Sequence, residues 1–433
     1  MSTNDKLDVI IVGAGLAGLA CAYETARAGL QVAVLEKGEA AGSKSLTGGR
    51  LYLRPVSELC GELLKDAPFE RTVISESITI TDDTSSMSFR LDDNATPDKP
   101  NSVTVLLSPL NQYLAEKAAE KGAMLLPQQK ADNLIFDKEK MVGVKIGEEE
   151  LRARTVVAAD GVLSFLAEEA GLRPQRDALS YGLGIKETIE LNSTCIEERF
   201  NLPPGKGASR LFFGTITQDL QGGGFIYTNT NSLAIGLVVN LGALSNWKSE
   251  TESWQLLEAF KARPDIAPLL AGGKTIEYGA HLVPEGGFNT LPRPGLPGLL
   301  LVGDAAGFVF NTGYILRGMD LALASGMLAA QSIIKSHQEN FDPSACLNNY
   351  EQALKESFIY KQMEKYKKAP DLLTLERLYK HYPQNVIQLT RELFQVDSAG
   401  QNASIWHTCK KFVFKVLGLK GLRDLWRFMR MDS

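Results

Sequence analysis

Cysteine is scarce: five residues in 433, at positions 21, 60, 195, 346 and 409, far apart and with no Cys-x-x-Cys pair. Such a chain cannot hold a cubane iron–sulfur cluster, which needs clustered thiolates. Its thiols read instead as the reduced, mostly buried side chains of a cytoplasmic protein. Histidine is scarcer still, and His281, His337, His381 and His407 lack the spacing of a metal site. No apolar run approaches the length that crosses a bilayer. The opening MSTNDKLDVIIVG has no basic segment leading into an apolar signal stretch, because Ile10 to Val12 already read as a strand. Positive charge is not in excess either, and a formal net charge of −5 argues against a whole-surface nucleic-acid binder. Self-similarity at a period of about 20–50 residues is missing, which excludes a repeat architecture. What remains is ordinary core-forming material, 44% hydrophobic against 22% charged, in a chain longer than one core organises. Two or three packed units are expected.

The stretch from Val9 to Gly38, VIIVGAGLAGLACAYETARAGLQVAVLEKG, carries the first chemistry. Leu7 to Val12 is a β-branched apolar run that predicts a buried parallel strand. It leads into Gly13-Ala14-Gly15-Leu16-Ala17-Gly18, a helical pattern ended by Gly29, and a second strand that delivers Glu36. In a dinucleotide fold Gly13 permits the tight turn, Gly15 lets backbone N–H groups approach a pyrophosphate, and Gly18 lets helix and strand pack closely. The helix N-terminus supplies unpaired donors and a favourable dipole. Glu36 stands where an acid accepts bonds from the adenosine ribose and disfavours a 2′-phosphate. These elements in register point to a dinucleotide, FAD or NAD.

Two later phrases repeat the strand–turn–helix pattern: RTVVAADGVLSFLAEEAGL (154–172) around Asp160-Gly161, and GLLLVGDAAGFVFNTG (298–313) around Gly303-Asp304. Their order after an N-terminal fingerprint resembles FAD domains of the glutathione-reductase-like superfamily. The resemblance implies that Asp304 contacts the ribityl chain and pyrophosphate end of the flavin. Asp160 reads either as a turn former or as a ligand. With no second Gly-x-Gly-x-x-Gly to seat a nicotinamide nucleotide, the expected cofactor is FAD.

Between these phrases the pattern alternates. Phe225–Thr228 and Leu233–Val239 predict a hairpin within an antiparallel sheet that covers the flavin ring. Residues 92–102 read as a polar surface loop, and the chain turns helical from Asp342 onward. The expected fold is α/β: a discontinuous Rossmann-like FAD-binding domain (1–70, 103–177 and 298–335), an inserted antiparallel β-sheet domain on the substrate or quinone side (71–102 and 178–297), and a helical C-terminal extension (336–433), p-hydroxybenzoate-hydroxylase-like in arrangement.

The phrases AAGSKSLTGGRLY (40–52), GGGFIYTN (222–229), AHLVPEGG (280–287) and GDAAGFVFNTGYILRGMDLALASG (303–326) occur in this order. Together they resemble the FixC-type flavoproteins, relatives of electron-transfer flavoprotein:quinone oxidoreductase and, more widely, of geranylgeranyl reductases and aromatic hydroxylases. Nearly the whole chain is covered. Hydroxylases of this fold usually carry Pro and a Gly-rich turn after the Gly-Asp motif, where this chain has FVFNTGYILRG. The resemblance implies an enzyme that takes electrons from a two-subunit electron-transfer flavoprotein and passes them to a quinone. A separate ferredoxin-like iron–sulfur protein is the implied partner, since this chain has no cysteines for a cluster. Two departures stand out. FixC-like chains often carry arginines in a helix start where this one has Leu107, Pro109 and Asn111, and Gly-Cys-Lys where it has Gly42-Ser43-Lys44. Lys44 and Arg50 are candidates to replace those groups.

The candidate cofactor-binding set is Gly13, Ala14, Gly15, Ala17, Gly18, Glu36, Lys37, Lys44, Gly49, Arg50, Asp160, Gly303, Asp304, Gly313 and Arg317. No nucleophile, triad or metal ligand is expected, because flavin electron transfer is the cofactor's own chemistry. His281 reads as a structural hydrogen-bonding residue or a proton relay. Arg317 reads as a cation facing reduced flavin or the partner of a neighbouring carboxylate. At the C-terminus Lys420, Arg423, Arg427 and Arg430 recur at helical spacing beside a stripe of Leu422, Leu425, Trp426 and Met429. Such a helix lies in an anionic bilayer interface, docks on an acidic partner or packs on its own domain. The expected protein is a cytoplasmic FAD-dependent oxidoreductase, with peripheral contact to the membrane open. Its rivals are a flavin-dependent reductase of an isoprenoid or other apolar alkene, and a flavin-binding interaction subunit without turnover.

Overall fold

The structure is a computed structural model that describes residues 6–44, 48–93, 100–173, 177–396, 398–411, 413–414 and 418–432. Leu7–Val12 reads LDVIIV with every side chain except Asp8 buried, the continuous apolar run of a strand covered on both faces. It lies between Glu149–Ala158 and Val32–Glu36, both parallel to it. Leu299–Leu301 and Met124–Pro127 extend the parallel set on either side, and Gly295–Leu296 closes one edge antiparallel. Helix Leu16–Arg27 returns across this sheet, and helix Met319–Gln338 lies on it at close range. A Cβ at Gly326 would stand 2.1 Å from the Ala17 carbonyl oxygen, so only glycine allows that approach.

The second sheet has nine strands in the order Lys274–Pro284, Tyr181–Glu190, Ser232–Asn240, Gly222–Thr228, Lys206–Gly214, Phe69–Thr81, Ser102–Val105 and Gly49–Tyr52, with Ser86–Asp92 beside Phe69–Thr81. The predicted hairpin is present, Thr228 opposite Leu233, closed by the Asn229 N–H on Ser232 O at 2.8 Å. One pair departs from the antiparallel expectation: Lys206–Gly214 runs parallel to Phe69–Thr81. One face of this sheet buries Ile185, Ile226, Ile235 and Leu237 against Phe200 and Phe260 of helices Ser193–Phe200 and Ser253–Lys261. Arg71 fastens the hairpin tip to the sheet. It is 2% exposed and donates to Asn229 O, Thr230 O, Lys206 O, Ser193 Oγ and Glu197 Oε1, so every face of its guanidinium is satisfied. The strands Gly49–Tyr52 and Ser102–Val105 belong to this second sheet, whereas the expected partition drew its boundaries at 70 and 103. Residues 94–99 of the expected loop lie outside the described residues.

Beyond Asp342 the chain is helical: Pro343–Glu356, Phe358–Lys365, Ala369–Leu373, His381–Phe394, Ile405–Lys411 and Gly418–Met429. The last helix docks by a polar contact. The Asp424 carboxylate, 1% exposed, accepts from Arg377 and from the Tyr382 hydroxyl at 2.6 Å. Burial opposes its charge, but Tyr382 and Arg377 outweigh it and hold the carboxyl below its ordinary value. Met431 is buried in the same contact beside Leu372. The apolar stripe faces outward, with Trp426 51% and Met429 65% exposed and Leu422 and Leu425 beside them. No helix among the described residues is long and apolar enough to cross a membrane. Cys21, Cys60, Cys195 and Cys346 are free, and burial pushes the thiols of Cys60 and Cys346 up to about 12, which leaves them unreactive.

Candidate functional site

The parallel strands bring the sequence motifs together at their carboxyl ends, the place where open α/β sheets bind ligands. Gly13 to Gly18 follows Leu7–Val12, Glu36 ends Val32–Glu36, Asp160 follows Glu149–Ala158, and Asp304 follows Leu299–Leu301. Within the loop the three glycines do different work. A Cβ at Gly13, whose φ is +109°, would meet Ala159 O at 2.3 Å, and one at Gly18 would meet Gly13 O at 2.1 Å. Both are packing positions. At Gly15 nothing lies within 4 Å of the Cβ position. Gly15 is the N-cap of helix Leu16–Arg27 and offers no side-chain cap, so the first-turn N–H groups face that open space. The Glu36 carboxylate reaches back to the loop and accepts from Ala14 N at 3.0 Å and Gly38 N at 2.6 Å.

The remaining predicted residues divide. Asp160 accepts from Ser164 Oγ at 2.7 Å and Leu166 N at 3.3 Å, which organises the start of helix Phe165–Glu169. Its turn-forming role is thus built in. Asp304 is partly buried, and that burial pushes its carboxyl up to about 6 against the nearby Arg173 guanidinium. Gly303 N donates to Ser325 Oγ at 2.9 Å, which ties the motif to helix Met319–Gln338. Ala17 is the contact point of that helix, and Gly313, at φ +88°, packs on Leu373. Gly49 faces Met319, 2.7 Å from where its Cβ would lie. Arg50 is buried and committed to Ser102 Oγ and both Glu76 carboxylate oxygens. Arg317 pairs with the buried Asp320. Lys37 and Lys44 are exposed.

Several residues outside the predicted cofactor-binding set line the same region. Two cations stand over the Tyr52 ring: the Arg50 guanidinium at 4.5 Å and that of Arg317 at 5.2 Å from its centre. Phe225 and Tyr227 stack 4.9 Å apart on the sheet face toward Gly48 and Arg50. Lys186 projects from that face and donates to Gly48 O at 2.9 Å, and burial pushes its ammonium down to about 8. His281 sits on the edge strand opposite Gly184. Its ring is pushed below its ordinary value by burial, then by Lys186 and Lys37, although the residue as a whole is exposed at the sheet edge. A cleft of about 220 Å³ is lined by Arg173, Asp177, Tyr181, Pro284, Gly286 and, from the turn after Asp304, Gly307, among others. Glu285 stands between two of these lining residues, Pro284 and Gly286, and accepts from Asn311 Nδ2 at 3.0 Å. Inward charge on an alternating strand was the available sign for Lys186, and the phrase VPEGG for Glu285. Among the described residues no group of His, Cys, Asp and Glu is placed to hold a metal ion.

Residues 8–67 match the FAD dependent oxidoreductase family, and residues 181–283 match the family described as ETF-QO, ubiquinone-binding. "Probable electron transfer flavoprotein-quinone oxidoreductase YdiS" of Escherichia coli (strain K12) is 40% identical over 91% of this chain and 92% of its own. "Protein FixC" of Salmonella typhi is 39% identical over 98% of this chain and all of its own. Among solved structures, a geranylgeranyl bacteriochlorophyll reductase-like protein from Thermoplasma acidophilum shares the fold, with a TM-score of 0.74 and 21% identity over 99% of both chains. PqsL of Pseudomonas aeruginosa shares it with a TM-score of 0.61 and 17% identity, covering 87% of this chain and 98% of its own.

Proposed function

This chain belongs to the family of FixC proteins and electron-transfer flavoprotein–quinone oxidoreductases, which are FAD-dependent oxidoreductases, and from that membership we propose that it moves electrons from a two-subunit electron-transfer flavoprotein to a quinone. A separate ferredoxin-like iron–sulfur protein works beside it. The observation that carries the reading is where the ubiquinone-binding match falls. Residues 181–283 span the strands Tyr181–Glu190, Lys206–Gly214, Gly222–Thr228 and Ser232–Asn240 and most of Lys274–Pro284, the sheet whose face carries Lys186, Phe225 and Tyr227.

The residues present fit FAD. The Cβ-free space at Gly15, at a helix N-terminus and the carboxyl end of a parallel strand, suits a pyrophosphate. In this reading Gly15 and Ala14 hold the phosphates, and Glu36 turns from the loop amides to the ribose hydroxyls. Asp304 holds the ribityl end, while Gly303 fixes its turn. Lys37 and Lys44 screen the phosphates from the solvent side. Arg317 and Arg50 hold the Tyr52 ring, and their carboxylates Asp320 and Glu76 keep them in place. Gly13, Ala17, Gly18, Gly49, Asp160 and Gly313 shape the walls. Bound FAD supplies an acceptor of one or two electrons; the chain positions it and controls access. The units 1–70, 103–177 and 298–335 form the FAD-holding part, and 71–102 with 178–297 form the quinone-side part, with Gly49–Tyr52 and the strand Ser102–Val105 crossing into the second sheet.

The outward stripe of the last helix extends the reading to the bilayer. A helix that docks through Asp424 and exposes Leu422, Leu425, Trp426 and Met429, flanked by Lys420, Arg423, Arg427 and Arg430, suits an anionic lipid surface. An apolar quinone then needs only lateral diffusion to reach the protein.

Stopped-flow reduction tests the reading. Reduced electron-transfer flavoprotein should reduce the flavin quickly and NAD(P)H slowly, since one nucleotide fingerprint leaves no second seat. Reoxidation should be faster with a quinone analogue than with oxygen. Rapid reduction by NAD(P)H with no response to the flavoprotein donor overturns it.

A further inference from the structure

Glu285 follows the edge strand Lys274–Pro284 and leads into Gly286-Gly287. Its backbone N–H donates to Ser180 O at 2.8 Å, which fixes where the side chain starts. The carboxylate passes behind Gly182, where an added carbon would stand 2.7 Å from it. It ends against Asn311, whose Nδ2 donates to Oε1 at 3.0 Å. Asn311 presents this donor because its own Oδ1 already accepts the Gly313 N–H at 2.8 Å. Among the described residues the acid makes no ion pair, so one neutral donor must support its charge. Burial accordingly pushes the carboxyl up to about 7, with Asn311 opposing.

Two spaces flank the turn that carries this residue, with Gly287 on the wall of both. One, of about 10 Å³, is room for a single water and is lined by Glu285, Gly287, Phe288, Phe310, Asn311 and Tyr366. The other is the larger cleft on the far side of the same turn, lined by Pro284, Gly286 and Gly287. The titratable groups that face Glu285 from other elements are the phenols of Tyr366 and Tyr379 on the helical extension. Burial, with the Glu285 charge, pushes the Tyr379 phenol up, so it stays neutral beside the acid. From strand Tyr181–Glu190 the facing residue is Gly182, and from Phe310–Asn311 it is the neutral Asn311.

We propose that Glu285 is the proton source for the quinone, handing its carboxyl proton to an oxygen of the reduced acceptor while Asn311 steadies the carboxylate left behind. The inference rests on the quinone reading above. A quinone that takes two electrons takes two protons to leave as quinol. At each transfer the Glu285 O–H bond breaks and an O–H bond forms on the acceptor. The carboxylate then regains a proton from solvent through the water-sized space, and the electrons come from the donor flavoprotein. An acid half-loaded near neutrality both gives and retakes a proton there, which an ordinary exposed glutamate does not.

Infrared difference spectroscopy of the oxidised holoenzyme, from about pH 5 to about pH 9, reads the carboxyl itself. A protonated C=O band should titrate out near neutrality, vanish in Glu285→Gln, and titrate at higher pH in Asn311→Leu, which removes the donor to the carboxylate. In the second arm, chemically reduced holoenzyme is mixed with a quinone analogue. Glu285→Gln should slow reoxidation on the order of a hundredfold at neutral pH and abolish the inflection there, while Glu285→Asp should keep an inflection at a shifted pH. A missing band, or a Gln variant that keeps the wild-type inflection, overturns the proposal. Should the Gln variant not fold, the Asp and Leu variants carry both readouts. Because reduction is chemical, a failure of the flavoprotein donor counts against the donor reading alone. A wild type that reduces no quinone overturns the quinone reading and this proposal with it, whereas a wild type that does reduce quinone, beside a Gln variant with the wild-type inflection, overturns the role of Glu285 alone.

Discussion

At the scale of single residues, Glu285 and Asp304 are pushed up to about 7 and about 6, by burial first, with Asn311 and Arg173 opposing. The consequence for stability has a definite sign. Between its ordinary value of 4.5 and about 7, Glu285 holds a proton in the folded chain but not in the unfolded one. Folding stability therefore falls as pH rises through that window, and the whole penalty is present above it. At about 1.4 kcal/mol per pKa unit the penalty is on the order of 3 to 4 kcal/mol. Glu285→Gln, neutral at every pH, should gain stability over wild type progressively from about pH 5 to about pH 8 and level off beyond. Urea midpoints across that range check it; a gain that is flat with pH, or that shrinks toward alkaline pH, contradicts the assignment. None of this was visible in the order of residues. Asp304 was marked by the strand and turn around it, a local pattern. The protonation of Glu285 and Lys186 depends on what the rest of the chain packs around them, and spacing carries no record of that.

At the scale of elements, the glycines of the first turn separate packing from binding. Gly18→Ala should cost several kcal/mol, since a Cβ 2.1 Å from a backbone oxygen forces strand and helix apart. Gly15→Val should leave the fold's thermal midpoint near that of wild-type apoprotein, because nothing lies within 4 Å of the new carbon, yet yield protein largely free of flavin. Flavin content and melting temperature of the two purified variants decide the matter. Full flavin occupancy in Gly15→Val would place the phosphate site elsewhere. Such glycines were legible from their spacing because the turn itself imposes it. The hairpin at Asn229–Ser232 was legible too, from alternation on both sides. Gly49–Tyr52 and Ser102–Val105 were not: short strands are claimed by whichever distant edge pairs with them. The last helix shows a second limit. Periodicity told which side chains share a face but not which face docks, and the inward face is the one bearing Asp424, because Arg377 and Tyr382 wait for it.

For the molecule as a whole, that orientation leaves an apolar stripe in water on an acidic chain that carries its late positive charge beside it. Docking through Asp424 also fixes the stripe's direction, so Arg430, 4.3 Å from the Trp426 ring centre, and its neighbours Arg423 and Arg427 are presented together with the apolar residues. Lipid headgroups and acyl boundary answer both at once. Near an anionic surface each basic side chain contributes about 1 kcal/mol, so Arg423→Gln with Arg427→Gln should weaken binding to phosphatidylglycerol vesicles about thirtyfold, with flavin content intact. Binding should also fall with salt, since the screening length shortens from about 8 Å at physiological ionic strength to about 3 Å at 1 M. Trp426→Ala should weaken it with little change in salt dependence, because it removes apolar contact rather than charge. Vesicle flotation measures all three. Equal binding to phosphatidylcholine, or no binding to either lipid, overturns the membrane reading. If the double variant instead loses coupling to an acidic iron–sulfur protein in solution, the face belongs to that partner, and quinone reaches the protein by another route.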